Sequence, residues 1–138
     1  MMIGKRIHHI GIILPSEEAV QAFMEQYGLT AAGAGETPYL ARCIFTQAKG
    51  EESPIEFLIP RGGPLQAFNN GKGGIHHICY EVENIEQAQE ELQARGCKML
   101  EEKAIMAEDG SKVNFVRPGS SFGILVELMQ PSATLKQR

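Results

Sequence analysis

The sequence predicts an α+β protein in which one unit of strands and a helix occurs twice. Three observations support this prediction. The segment at residues 7–12 (IHHIGI) returns at residues 75–80 (IHHICY), about half a chain later. A segment with helical features follows each copy, and each half then ends in a strand-like run that carries a glutamate. Repetition on this scale indicates two copies of one supersecondary unit.

The two predicted helices cover residues 16–28 and 84–96, and a glycine ends each of them. Ser16 is a favourable N-cap for the first helix. Asn84 can cap the second, where Gln87 stands at the spacing of a capping box. The apolar face of the first helix is made by residues three and four apart: Val20, Phe23, Met24 and Tyr27. That of the second is made by Ile85, Ala88 and Leu92.

Stretches rich in β-branched and aromatic residues follow each helix and predict strands. They cover residues 40–47 and 55–59 in the first half, and 97–101, 113–117 and 124–129 in the second. The short Gly-Ala-Gly sequence at residues 33–35 is interpreted as a loop.

One domain, residues 1–138, is therefore expected. It consists of two repeats, about 5–60 and 73–131, joined by a linker over residues 61–72 that is rich in Gly and Asn.

Composition excludes several classes of function. The 138 residues are 43% hydrophobic and 22% charged, enough apolar material for a core, and the net charge of −4 argues against a nucleic-acid binder. No apolar run is long enough to span a bilayer, and the start of the chain does not resemble a secretory signal. The three cysteines are widely spaced and predict reduced thiols in a cytoplasmic protein.

The repeat places chemistry-bearing residues at matching positions. Each half opens with a strand that bears histidine and closes with a strand that bears a glutamate, Glu56 or Glu127, between apolar residues. An unpaired carboxylate in a buried strand costs several kcal/mol, and a divalent cation removes that cost. Two imidazoles and two carboxylates suit Zn, Ni, Co, Mn or Fe(II).

Each of these residues taken singly has a simpler interpretation. A strand glutamate is more often an edge residue that faces solvent, and a strand histidine is more often a satisfied core residue. Four potential ligands at equivalent places in two copies favour the metal site. The histidine doublets leave a choice, because strand neighbours point to opposite faces. His8 with His76 and His9 with His77 are equally compatible with the spacing.

The repeated unit resembles the βαβββ module of the vicinal oxygen chelate superfamily, which includes glyoxalase I, methylmalonyl-CoA epimerases, extradiol dioxygenases and antibiotic-resistance proteins. The resemblance runs from residue 7 to residue 130. Its most specific stretch, residues 73–82 (GGIHHICYEV), is similar to the start of the second repeat in methylmalonyl-CoA epimerases. Residues 113–118 (VNFVRP) and 123–128 (GILVEL) are similar to their closing strands. The resemblance implies a glyoxalase-like fold, in which two tandem modules form a U-shaped metal-binding groove.

The resemblance also implies a ligand set. The family's ligand positions match His9, Glu56, His77 and Glu127, which would hold one divalent metal ion. Glu127 and Glu56 would also be the catalytic proton-transfer groups. Some epimerases carry a further glutamate on the strand before the first-half ligand strand. The corresponding residues 39–45 contain no carboxylate. An epimerase must transfer a proton on both faces of the substrate's α-carbon, and Glu56 is then the candidate base for the second face.

The function implied is that of a metal-dependent isomerase of the epimerase type. It would move a proton at the α-carbon of an acyl-CoA or other thiol ester, through an enolate chelated by the metal. A glyoxalase I-like lyase acting on a thiol adduct, or a non-catalytic binding or resistance protein, is the alternative. Relatives of this kind imply a homodimer, with no nucleic-acid or membrane partner.

Overall fold

Each half of the chain forms its own βαβββ arrangement in the computed structural model, which describes residues 6–133. His9–His76 make up one unit, here called the N-terminal unit, and the described residues outside it make up the C-terminal unit. The α+β class and the repeated module predicted from the sequence are confirmed.

The N-terminal unit contains most of strand β1 and the following helix and strands: β1 (Ile7–Ile13), α1 (Glu17–Tyr27), β2 (Ala31–Thr37), β3 (Ala41–Thr46) and β4 (Ile55–Pro60). Its strand order is β2-β3-β4-β1. Strands β1 and β4 are parallel, whereas the other neighbours are antiparallel. The first and last strands of the unit are therefore adjacent.

The C-terminal unit repeats this order after a short helix, α2 (Gly63–Gln66), and a 3-10 turn, Phe68–Gly71. Its elements are β5 (Gly74–Glu81), α3 (Ile85–Ala94), β6 (Ile105–Met106), β7 (Lys112–Val116) and β8 (Val126–Gln130). The strand order is β5-β8-β7-β6, with β5 parallel to β8. Again the opening and closing strands of the unit lie side by side.

Both predicted helices form, with the predicted caps. Ser16 Oγ accepts a hydrogen bond of 3.1 Å from the backbone N–H of Ala19, and Asn84 Oδ1 accepts one of 2.9 Å from that of Gln87. These bonds satisfy N–H groups that the first turn of a helix leaves without a partner. The Gln87 side chain donates to Glu91 at 3.5 Å rather than completing a capping box.

Each helix packs on one face of its own sheet. The N-terminal core consists of Val20, Met24, Ile44 and Phe57. The C-terminal core consists of Val82, Ile85, Ala88, Met99, Val116 and Leu128. Tyr27, the last residue of α1, is 60% exposed, although its ring contacts that of Phe23 at a centroid distance of 4.8 Å. Successive strand residues alternate in direction, so the neighbours of these core residues point to the other face of each sheet.

A buried polar cluster joins α3 to β7. Asn114 is fully buried, and its Nδ2 donates to Oε1 of Gln89 and to the carbonyl of Glu101, each at 3.0 Å. Its Oδ1 accepts from the backbone N–H of Glu101 at 3.1 Å. The cluster therefore fixes both the helix and the irregular segment before β6 against strand β7.

Some predicted strand assignments are wrong. Residues 33–35 belong to β2 and not to a loop, because they pair with β3 through the backbone, which needs no bulky side chain. Residues 97–101 form no strand and contribute one isolated bridge, between Met99 and Val116.

Within residues 6–133, no helix has the length and apolar character needed to cross a membrane. Cys43, Cys79 and Cys97 form no disulfide, as predicted.

Candidate functional site

A histidine and a glutamate lie together on the N-terminal sheet. His9 is on β1 and Glu56 is on the adjacent parallel strand β4, where its Cα partner is Gly11. His9 and Gly11 are two residues apart and share a face, so both functional side chains project from the same face. His9 Nε2 lies 3.4 Å from Glu56 Oε1. His9 is only 3% exposed, and the Glu56 side chain is 13% exposed.

The C-terminal sheet carries the same pair. His77 is on β5, and Glu127 is on the parallel neighbour β8, where its Cα partner is Cys79. The histidine again stands two residues before the partner of the glutamate. His77 Nε2 lies 3.1 Å from Glu127 Oε1, and both side chains are buried. The repeat in the sequence is therefore also a repeat in side-chain geometry.

The second histidine of each doublet, His9 or His77, contacts the glutamate of its unit. His76 is the first member of the second doublet, and strand alternation directs it away from His77. The ring of His76 contacts that of Phe68 at a centroid distance of 5.3 Å. This pairing with carboxylates makes His9 and His77 the better candidates for ligands.

A phenylalanine completes each pair, and sequence reasoning missed both. Phe45 on β3 is the Cα partner of Glu56, and its ring meets that of His9 edge-to-face at 5.2 Å. Phe115 on β7 is the Cα partner of Glu127, and its ring meets that of His77 edge-to-face at 5.6 Å. The sequence feature that could have predicted them is a phenylalanine in the strand that precedes Glu56 and in the strand that precedes Glu127.

The donor atoms of each pair fit adjacent positions on a metal ion. Two ligands about 2.1 Å from one ion, at angles between a right angle and the tetrahedral angle, are separated by about 3.0–3.4 Å. The observed N···O separations, 3.1 and 3.4 Å, agree with this range. Imidazole nitrogen with carboxylate oxygen is a donor set for borderline to hard divalent ions. The site residues of each unit therefore suit a divalent metal.

Comparison with known proteins agrees with this chemistry. The model of the Glyoxalase/Bleomycin resistance protein/Dioxygenase superfamily matches residues 8–115. The chain belongs to this superfamily. Members of the superfamily bind a divalent metal, and the matched part contains three of the four histidine and glutamate residues described above.

Several relatives of the chain are methylmalonyl-CoA epimerases. The chain is 33% identical over 134 residues to the ethylmalonyl-CoA/methylmalonyl-CoA epimerase of Cereibacter sphaeroides, covering 94% of this chain and 99% of that protein. It is 32% identical to the mitochondrial methylmalonyl-CoA epimerase of Bos taurus, covering 91% of this chain and 74% of that protein. A Streptomyces coelicolor methylmalonyl-CoA epimerase variant, solved with 2-nitronate-propionyl-CoA, has the same fold, with a TM-score of 0.81, 22% identity and coverage of 93% and 98%.

Proposed function

We propose that this superfamily member is a divalent-metal-dependent epimerase that acts on methylmalonyl-CoA or a closely related 2-substituted malonyl thioester. The observation that carries the proposal is the duplicated His–Glu pair, found in a chain whose relatives at 32–33% identity are methylmalonyl-CoA epimerases. The Streptomyces coelicolor relative binds an acyl-CoA analogue, which supports a CoA ester as the substrate class.

In this proposal His9, Glu56, His77 and Glu127 hold one divalent ion, of Co, Zn, Ni, Mn or Fe(II). The bound ion would supply positive charge that stabilises the negative charge developing on the substrate's oxygen atoms. Buried histidines in β-strands give ligands with little freedom to move, since each strand is fixed by its neighbours. Such rigidity favours a metal site formed before substrate arrives.

Epimerisation requires removal of the α-proton from one face and its return to the other. We assign these transfers to Glu56 and Glu127, one from each repeat. Each carboxylate has two oxygens, so one oxygen can bind the metal while the other accepts or donates a proton. Both glutamate side chains are largely shielded from solvent, so bulk water competes poorly for the transferred proton.

The test follows loss of the C2 proton of methylmalonyl-CoA into deuterated water by NMR, with each C2 epimer supplied separately. We expect Co(II)-loaded protein to exchange and invert both. If the glutamates serve opposite faces of the α-carbon, Glu56→Gln and Glu127→Gln should each lose exchange with a different C2 epimer, with metal content measured in parallel. The control is Glu25→Gln on the exposed face of α1, which should match the parent protein.

Metal-loaded protein that leaves the C2 proton in place would overturn the epimerase assignment. Turnover of the hemithioacetal of methylglyoxal and a thiol, in the same preparation, would instead identify a glyoxalase-type lyase. Binding of the acyl-CoA without proton exchange or turnover would identify a binding protein. The expected homodimer is tested separately by sedimentation of the metal-loaded chain.

A further inference from the structure

The same three-residue arrangement occurs in both units. In each, a glutamate on the closing strand contacts a histidine on the parallel strand to one side and pairs in register with a phenylalanine on the antiparallel strand to the other. The two histidine–phenylalanine contacts are nearly perpendicular, with interplanar angles of 88° for Phe45 and 87° for Phe115. A packing accident would not be expected to recur with the same register and the same ring angle.

An imidazole has two side-chain torsions, and a ligand histidine must present one nitrogen in a fixed direction. An edge-to-face aromatic contact is favourable in only a narrow range of ring orientations. Ring planes that meet near 90° therefore oppose rotation of His9 and His77 away from their glutamates. Metal ligands in proteins depend on such neighbouring groups for orientation, and losing one weakens metal binding.

We infer that Phe45 and Phe115 are equivalent positioning residues of the two half-sites, and that each holds its histidine ready to bind the metal. The inference rests on the proposed function, because it assumes that His9 and His77 are metal ligands. It adds two residues that act through those histidines and need not touch the substrate.

Leucine at each position removes the aromatic ring and keeps most of the apolar volume, so the test uses Phe45→Leu and Phe115→Leu. The matched control is Phe57→Leu. Phe57 follows Glu56 on β4, is fully buried on the opposite face, and contacts Phe23 edge-to-face at 5.3 Å. It therefore reports what loss of a ring costs the core, without a contact to a histidine.

Cobalt(II) is titrated into each metal-free protein, and both the dissociation constant and the visible absorption spectrum are recorded. We expect Phe45→Leu and Phe115→Leu each to bind Co(II) roughly 3- to 10-fold more weakly, the range that loss of one aromatic contact implies. Their visible bands should also shift, because the ligand geometry changes. Phe57→Leu should lower the melting temperature and leave the band positions and the dissociation constant unchanged within about twofold.

Unchanged Co(II) affinity and spectrum in both Phe45→Leu and Phe115→Leu would overturn the inference, as would an equal loss in Phe57→Leu. Phe45 is only half-buried, so Phe45→Leu is expected to fold, and its result alone is used if Phe115→Leu does not fold. The proposed function and this inference fail differently. If the parent protein binds no Co(II), both are overturned. If the parent protein binds Co(II) and exchanges the C2 proton, but the two phenylalanine variants bind Co(II) as the parent does, only the positioning role is overturned.

Discussion

Asn114 and Gln89 form a buried hydrogen bond of 3.0 Å between strand β7 and helix α3. Asn114 immediately precedes Phe115, and its Oδ1 also accepts from the Phe115 backbone N–H at 2.8 Å. The polar cluster on the core side of β7 and the aromatic contact to His77 on the other side therefore meet in one short strand. Substitutions in the polar cluster should therefore lower the free energy of unfolding more than they change the site around His77.

Asn114→Ala should destabilise the protein by about 3 kcal/mol, because it leaves buried groups of Gln89 and Glu101 without their present partner. Urea denaturation measures the change. Gln89→Leu combined with Asn114→Leu should cost less than the sum of the single changes, since both polar partners are then removed together. A loss below about 1 kcal/mol for Asn114→Ala would contradict the importance of this cluster.

Binding of a divalent ion should raise the stability of the folded chain. At an ion concentration about 100 times the dissociation constant, the expected gain is about 2.7 kcal/mol. Calorimetric scans with and without Co(II) measure it. Glu127→Gln should lose most of the gain, because it replaces a ligand oxygen that bears charge by a neutral one, and Glu25→Gln should keep it. A similar gain in both variants would indicate that the ion binds elsewhere.

Residue 73 must be glycine because it lies too close to the backbone of β1 for a side chain to fit. Its φ is +77°, and a Cβ at this position would lie only 2.2 Å from the carbonyl oxygen of Ile13. Gly71 has a similar φ of +80° but an open surrounding, with the nearest atom at 3.8 Å. Gly73→Ala should therefore cost at least about 2 kcal/mol more than Gly71→Ala, since both share the backbone strain and only the first adds a collision. Equal losses on chemical denaturation would contradict the predicted collision.

Lys112 donates a 2.7 Å hydrogen bond to Glu86 in the first turn of α3, and this bond holds the pKa of the Glu86 carboxyl below its ordinary value. A carboxyl with a lowered pKa in the folded state contributes stability above its unfolded pKa and loses it as the pH falls through the folded pKa. Both side chains are partly exposed, so the contribution should stay below about 1 kcal/mol. NMR titration of Glu86 should show its pKa rising toward the ordinary value in Lys112→Met. No change in that pKa would contradict the assignment to Lys112.

Local patterns in the sequence were enough to predict the two helices and their caps. Ser16 and Asn84 cap because their side chains bond to N–H groups three residues away, which requires no tertiary contact. The repeat likewise predicted that His9 and His77, or else His8 and His76, would act with Glu56 and Glu127. The spacing of the residues could not show which histidine of each doublet lies beside the glutamate. Adjacent residues of a strand point to opposite faces, so a shift of one residue exchanges the two histidines.

Tertiary structure decided the rest. Strand β2 consists mostly of Ala and Gly, which have low strand propensity, and it exists because six of its seven residues pair with β3. Phe45 and Phe115 lie beside the site only because the strand registers place each of them opposite a glutamate. Capping and periodicity operate over a few neighbouring residues and are visible in one segment of chain. Strand pairing joins distant segments, so its register depends on the packing of the whole unit.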